Sequence, residues 1–222
     1  MTMSAPIDTA IFDLGGVLME NGRHSDLVRR FPPEHAEAAL RVFVGDYATD
    51  GDHPWHRLER GEITMLEFRD LSQAAFESAG IAPLPQPAAA GTGEPSKPLI
   101  TFVPNMAMLD LVRRLRSTGI RTGILTNNVR EFRDGWRSLA PLQGLFDDIV
   151  DSHEVGMRKP NPAIYHLAAT RLNTTPERAV FLDDVLSNVD AARAIGMTGV
   201  LVDVDSAPAI IEVERLVGLT TT

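Results

Sequence analysis

Three observations in the sequence predict a doubly wound α/β fold, with a parallel sheet and a small helical unit inserted after the first strand. Short apolar runs alternate with longer helical patterns along most of the chain. The runs lack clean polar alternation, as strands covered on both faces do. The alternation stops between residues 20 and 102, where only amphipathic helical patterns occur.

The elements follow in order. The first run, residues 9–14, ends at an aspartate, Asp13, with Gly15 and Gly16 just beyond it. "EHAEAALRVFVGDY", "HPWHRLERG" and "TMLEFRDLSQAAFESAG" then read as helices of the insertion. "IAPLPQPAAAGTGEPSKPLITFVP" returns from it and, rich in Pro, Gly and Ala, reads as a linker or surface loop. "NMAMLDLVRRLRSTGI" places Met108, Leu111, Val112 and Leu115 on one helical face and stops at Gly119. The further strand runs are residues 122–125, 148–150, 179–182 and 199–202, with "NPAIYHLAATRLN" and "NVDAARAIGM" as helices between them. The expected division is a core of residues 1–19 and 103–222 and an insertion of residues 20–102, return linker included.

Composition narrows the function. The 222 residues carry a net charge of -9, which argues against nucleic acid or an anionic membrane as partner and leaves room for a local cationic site. With no cysteine, thiolate nucleophiles, disulfides and Cys-based zinc sites are excluded, and a cytoplasmic location is expected. The N-terminal "MTMSAPIDTA" shows no signal-peptide pattern, and no apolar stretch approaches a membrane span. A monomer or homodimer is expected.

In an open parallel sheet, ligands bind beyond the C-terminal strand ends. The first run delivers Asp13 there, and the second delivers Thr126, then Asn127 and Asn128. "MRKPNP" after the third supplies Lys159. The fourth, "VFLDDVLSN", supplies Asp183, Asp184 and Asn188, the last reading either as a helix cap or as support for the site. Each residue alone has an ordinary reading as a turn, a cap or a solvated charge. Together they bring a carboxylate, a hydroxyl, an ammonium and a carboxylate pair into one crevice. Three carboxylates repel unless a cation joins them, and Mg²⁺ suits all-oxygen ligands plus phosphate. Lys159 and Thr126 then supply charge and a hydrogen bond to a transferring phosphoryl group, and Asp13 a nucleophile.

"FDLGGVL", "ILTNN", "RKPNPAIY" and "FLDDVLSNVDAARAIGM" resemble, in order, the four motifs of the haloacid dehalogenase-like hydrolases. The last, with "RGEIT" in the insertion, is similar to the subgroup containing the phosphatase domain of soluble epoxide hydrolases. The resemblance covers nearly the whole chain. It implies a Rossmann-like core with a helical cap and an Mg²⁺-dependent aspartyl-phosphate mechanism acting on a small phosphorylated molecule. By motif position, Asp13 is nucleophile and metal ligand, the Gly15 carbonyl a second ligand and Asp184 a third, with Asp183 acting directly or through water. Thr126, Asn127 and Lys159 hold the phosphoryl group. Gly61 and Glu62 form the cap turn facing the site, with Glu62 as a substrate contact.

One departure matters. Phosphatases of the family carry a second aspartate two residues after the nucleophile, and Gly15 stands there. The main-chain ligand survives, but the acid and base do not, and such catalysis is typically worth about 10²–10⁴-fold. The open alternatives are a slow phosphatase for good leaving groups, a stand-in acid from the cap (His24, His53 or His56), a 2-haloacid-type dehalogenase, or a non-catalytic phospho-ligand-binding or regulatory protein.

Overall fold

The computed structural model describes residues 6–20, 31–82 and 102–219. Most of the linker reading, and His24, fall outside these residues. Among the described residues the sheet has five parallel strands: β1 (Thr9–Phe12), β2 (Arg121–Thr126), β3 (Asp148–Asp151), β4 (Ala179–Asp183) and β5 (Thr198–Leu201). Their spatial order is β3-β2-β1-β4-β5. β1 is central, with Phe12 opposite Ile124 on one side and Leu182 on the other. The chain builds outward from β1 in one direction, returns, and builds in the other. The strand order therefore reverses beside β1 and β4, where a crevice opens at the strand ends.

Strand side chains divide between two cores with period two. Ala10, Phe12, Ile124, Val180 and Leu182 face one, and Ile11, Leu125, Ala179 and Phe181 the other. The first core is covered by α4 (Met106–Ser117) and α9 (Ala207–Val217). Met108, Leu111, Val112 and Leu115 of α4 are fully buried, the stripe the sequence predicts. The second core is covered by α7 (Pro162–Arg171) and α8 (Leu186–Ala194), through Ile164, Tyr165, Ala168 and Ala192. Asn105 caps α4 and Asn161 caps α7, each accepting a backbone N–H in the first turn.

Between β1 and α4 lie α1 (Ala36–Val44), α2 (Pro54–Glu59) and α3 (Met65–Ala79). α3 opens on a capping box between Thr64 and Glu67 and closes at left-handed Gly80. Phe43, Trp55 and Phe68 pack ring against ring at 5.2–5.3 Å. Val129 and Phe132, which follow β2, join this cluster, so the inserted helices share a small apolar core with the loop after β2. The other α-helices among the described residues are short, α5 (Arg133–Arg137) and α6 (Ser152–Val155). None of the described helices is long and apolar enough to cross a membrane.

Candidate active site

β1 and β4 are neighbours, so the residues that follow them meet at the reversal point. The Asp13 amide still donates to the Leu182 carbonyl at 2.8 Å, which fixes its Cα at the strand end. One carboxylate oxygen from each of Asp13, Asp183 and Asp184 lies within 4.8 Å of the others. Lys159 enters from the loop after α6. Its Nζ stands 2.8 Å from Asp13 Oδ1 and 2.6 Å from Asp183 Oδ2. The lysine is fully buried, and Asp13 is nearly so.

Burial pushes the Asp13 carboxyl up, to about 8, and Asp183 and Asp184 push the same way against the pull of Lys159. Burial alone would lower the Lys159 ammonium, but the adjacent Asp13 and Asp183 carboxylates outweigh it and hold it charged. A cluster of this charge is short of cations, and its donors are all hard oxygens. It fits a magnesium ion.

The two aspartates at the end of β4 differ. Asp183 is fully buried, and both its oxygens are taken. Oδ1 accepts from the Val185 amide at 2.8 Å, Oδ2 meets Lys159, and Asn188 Nδ2 donates to both at 3.1–3.2 Å. Asp184 is only partly buried. Asn188 thus braces the site, and Tyr165 in turn donates to the Asn188 carbonyl at 2.9 Å.

Thr126 ends β2 and is buried beside this group, with its side chain in no hydrogen bond among the described residues. The Asn127 amide is committed to the Lys159 backbone: its Oδ1 accepts from Lys159 N at 2.8 Å and its Nδ2 donates to Lys159 O at 3.0 Å. The Lys159–Pro160 peptide is cis. Gly15 and Gly16 make the turn after Asp13, and of the two only Gly16 lies in the left-handed region, at φ 69°.

In the insertion, Gly61 takes φ 70°, and a Cβ there would stand 2.7 Å from the His153 carbonyl oxygen, so this turn sits directly on the core. Glu62 beside it pairs with Arg60 at 2.6 Å and Arg57 at 3.5 Å, and its side chain is 44% exposed. It makes no hydrogen bond or ion pair with the Asp13 group among the described residues. His53 and His56 turn inward. Nδ1 of His53 accepts from the Trp55 amide, and Nδ1 of His56 from the Gly51 amide. Burial lowers both, His56 to about 4 with help from Arg158 and His53, so both rings are neutral at neutral pH. A neutral imidazole is a poor acid.

Sequence reasoning missed Tyr47, Glu59 and Arg158, which join the insertion to the loop bearing Lys159. The available signals were a carboxylate on the Trp55-bearing face of a short helix and an arginine directly before Lys159.

Known proteins share this fold and much of this sequence. The family profile described as haloacid dehalogenase-like hydrolase matches residues 7–196. Bifunctional epoxide hydrolase 2 of Mus musculus is 32% identical over 202 residues, which are 84% of this chain and 35% of that protein. Sesquiterpene phosphatase astK of Aspergillus oryzae is 30% identical over 87% of this chain and 89% of its own length. Validoxylamine A 7'-phosphate phosphatase of Streptomyces hygroscopicus subsp. limoneus is 24% identical over 84% and 81%. The chain thus spans about a third of the epoxide hydrolase but most of each phosphatase. Among solved structures, the L-2-haloacid dehalogenase RSc1362 shares the fold with a TM-score of 0.64 at 20% identity, over 96% of this chain and all of that one. The HAD family enzyme bt-2542 of Bacteroides thetaiotaomicron does so at 0.57 and 20%, over 90% and 96%.

Proposed function

Because the chain belongs to the haloacid dehalogenase-like hydrolases, we propose that it is a magnesium-dependent phosphatase of small phosphorylated molecules that works through Asp13. The observation that carries this is Lys159, buried between Asp13 and Asp183 with a third carboxylate alongside. The names of two relatives of similar extent, both phosphatases, support the same reading.

The Asp13 carboxylate attacks phosphorus, the bond to the leaving oxygen breaks, and that oxygen departs with the electron pair. Water then attacks the aspartyl phosphate, releasing inorganic phosphate and restoring the carboxylate. Lys159 and the Thr126 hydroxyl face the phosphoryl oxygens, where negative charge is held through the transfer. Asp13, Asp184 and the Gly15 carbonyl would hold the metal. When bound, it supplies positive charge that offsets the carboxylates and polarises the phosphoryl group. Asp183, saturated by its neighbours, holds Lys159. Asn127 acts on the phosphoryl group through the Lys159 backbone it clamps. The inserted helices form the cap, and Glu62, at its exposed turn, is a substrate contact at the rim.

Gly15 supplies no acid, and His53 and His56 are neutral and engaged with backbone, so the leaving oxygen departs without a protein proton. Turnover should therefore track leaving-group acidity. The test is a panel of acyl, aryl and sugar phosphates with Mg²⁺, with 2-haloacids alongside. Rates should fall steeply from acyl to sugar phosphates, and Asp13→Asn should abolish them. Halide release without Mg²⁺ would replace the proposal with a dehalogenase. Phosphate binding with no turnover at all would replace it with a ligand-binding role.

A further inference from the structure

Lys159 carries its charge on a flexible four-carbon stem, and an ammonium so placed needs a fixed backbone beneath it. The loop that provides it is gripped from the insertion. Arg158, fully buried, donates from Nε to Glu59 Oε2 of α2 at 2.7 Å and from a terminal nitrogen to the Thr49 carbonyl at 2.6 Å. Its guanidinium lies 4.6 Å over the Tyr47 ring. The Tyr47 hydroxyl donates to Glu59 Oε1 at 2.9 Å and accepts from Asn127 Nδ2 at 3.3 Å. Asn127 closes the circuit on both backbone polar groups of Lys159. A second tie runs from Asn161 to Asp50 at 3.1 Å.

This arrangement is a poor way to gain stability. A buried arginine–glutamate pair loses its hydration, and apolar residues of similar volume usually serve stability as well or better. One terminal nitrogen of Arg158 is moreover buried without a hydrogen-bond partner among the described residues. What the pair does provide is directional geometry, fixed at a guanidinium fork one residue before the ammonium of the site. We propose that Tyr47, Glu59 and Arg158 are positioning residues, which lock the Lys159 backbone to the inserted helices and so set the ammonium between Asp13 and Asp183. The inference deepens the phosphatase reading, on which its kinetic part rests, while its structural part stands independently.

The test uses Glu59→Gln, Tyr47→Phe and the paired Glu59→Leu/Arg158→Met, with Glu37→Gln on the exposed face of α1 as control. Hydrogen exchange followed by mass spectrometry reads the Lys159 amide, whose proton is held by Asn127. Exchange there should speed up at least several-fold in Glu59→Gln and the paired variant, and to a lesser degree in Tyr47→Phe. It should be unchanged in the control. With p-nitrophenyl phosphate and Mg²⁺, kcat per folded molecule should fall by about 10- to 100-fold in the paired variant, the scale of a small misplacement, with KM changing much less. The same variant should regain the melting temperature that Glu59→Gln loses. Unchanged exchange at Lys159 overturns the inference whether or not the protein turns over substrate, and Tyr47→Phe supplies that reading if the charge variants do not fold. Recovery of kcat together with melting temperature in the paired variant also overturns it, by reducing the network to a fold element. Faster exchange in a protein whose wild type hydrolyses nothing upholds the positioning and removes the phosphatase reading alone.

Discussion

Replacing Lys159 with methionine keeps the length of the side chain and removes the ammonium that meets two buried carboxylates at 2.8 and 2.6 Å. Two unit charges about 4 Å apart attract by about 4 kcal/mol at an effective dielectric of 20. The lysine's own lost hydration offsets part of that, and breaking a buried pair by removing one partner typically costs about 3–5 kcal/mol. For a chain of this size, about 1 kcal/mol moves the melting temperature by roughly 2–4 °C, so the metal-free variant should melt roughly 6–20 °C lower. The deficit depends on pH. The Asp13 carboxyl is already pushed up to about 8, and without Lys159 it rises further. A carboxyl raised in the folded state favours folding at low pH and loses that contribution as pH climbs through the folded value. Below about pH 8 the carboxyl stays protonated in both folded proteins. The gap between variant and wild type should therefore be smaller at about pH 6 and larger at about pH 9, where only the wild-type carboxyl ionises. Magnesium should narrow it, because a divalent cation returns positive charge to the same oxygens, and a ligand at 100 times its Kd stabilises by about 2.7 kcal/mol. Thermal melts followed by circular dichroism, at both pH values with and without Mg²⁺, read all of this. Equal melting temperatures at the higher pH without metal would refute the reasoning.

Other expectations follow from the same geometry. Asp184→Asn should abolish the Mg²⁺-dependent rise in melting temperature while leaving the metal-free protein nearly as stable as wild type, whereas an undiminished rise would remove Asp184 from the ligands. Burial holds the Asp151 carboxyl, at the end of β3, up at about 6 despite the neighbouring His153. Its contribution to stability is present below the ordinary carboxylate range and is lost as pH rises to about 6, so Asp151→Asn should gain on wild type by on the order of 2 kcal/mol between those limits. A difference that does not vary with pH in melts across that window would contradict this. Gly15→Asp, at a position outside the left-handed region, should raise kcat on sugar phosphates by about 10²-fold or more and change acyl phosphates much less. A uniform effect across the panel would mean that proton transfer was not what Gly15 lacks.

The three central strands were legible because they are buried on both faces, and their ends name Asp13, Thr126 and Asp183 directly. The α4 stripe was legible because its period matches one helical face. Strand bounds shifted by a residue or two, since Arg121, Thr126, Asp151 and Asp183 are polar residues that pair in the ladder. The two aspartates at the end of β4 could not be told apart in sequence. Their difference depends on Asn188 and Lys159 closing around one of them. The link from Glu59 to Arg158 spans 99 positions, so no local pattern announces it, and a glutamate on an amphipathic helix reads as a solvated charge. Trp136 is fully buried from a five-residue helix too short and too charged to show a stripe.

The most direct measurement is of Asp13 itself. The protein is mixed with Mg²⁺ and an acyl or aryl phosphate, quenched in acid during turnover, digested, and the peptide carrying residues 9–20 is weighed. With no catalytic base at Gly15, and with the Nδ1 atoms of His53 and His56 taken by backbone amides, water is poorly activated and the phosphorylated form should accumulate. A mass increase of one phosphoryl group is expected, mapping to Asp13, absent without Mg²⁺ and absent in Asp13→Asn. Steady release of inorganic phosphate with Asp13 never labelled at any quench time, or label that persists in Asp13→Asn, would contradict the account.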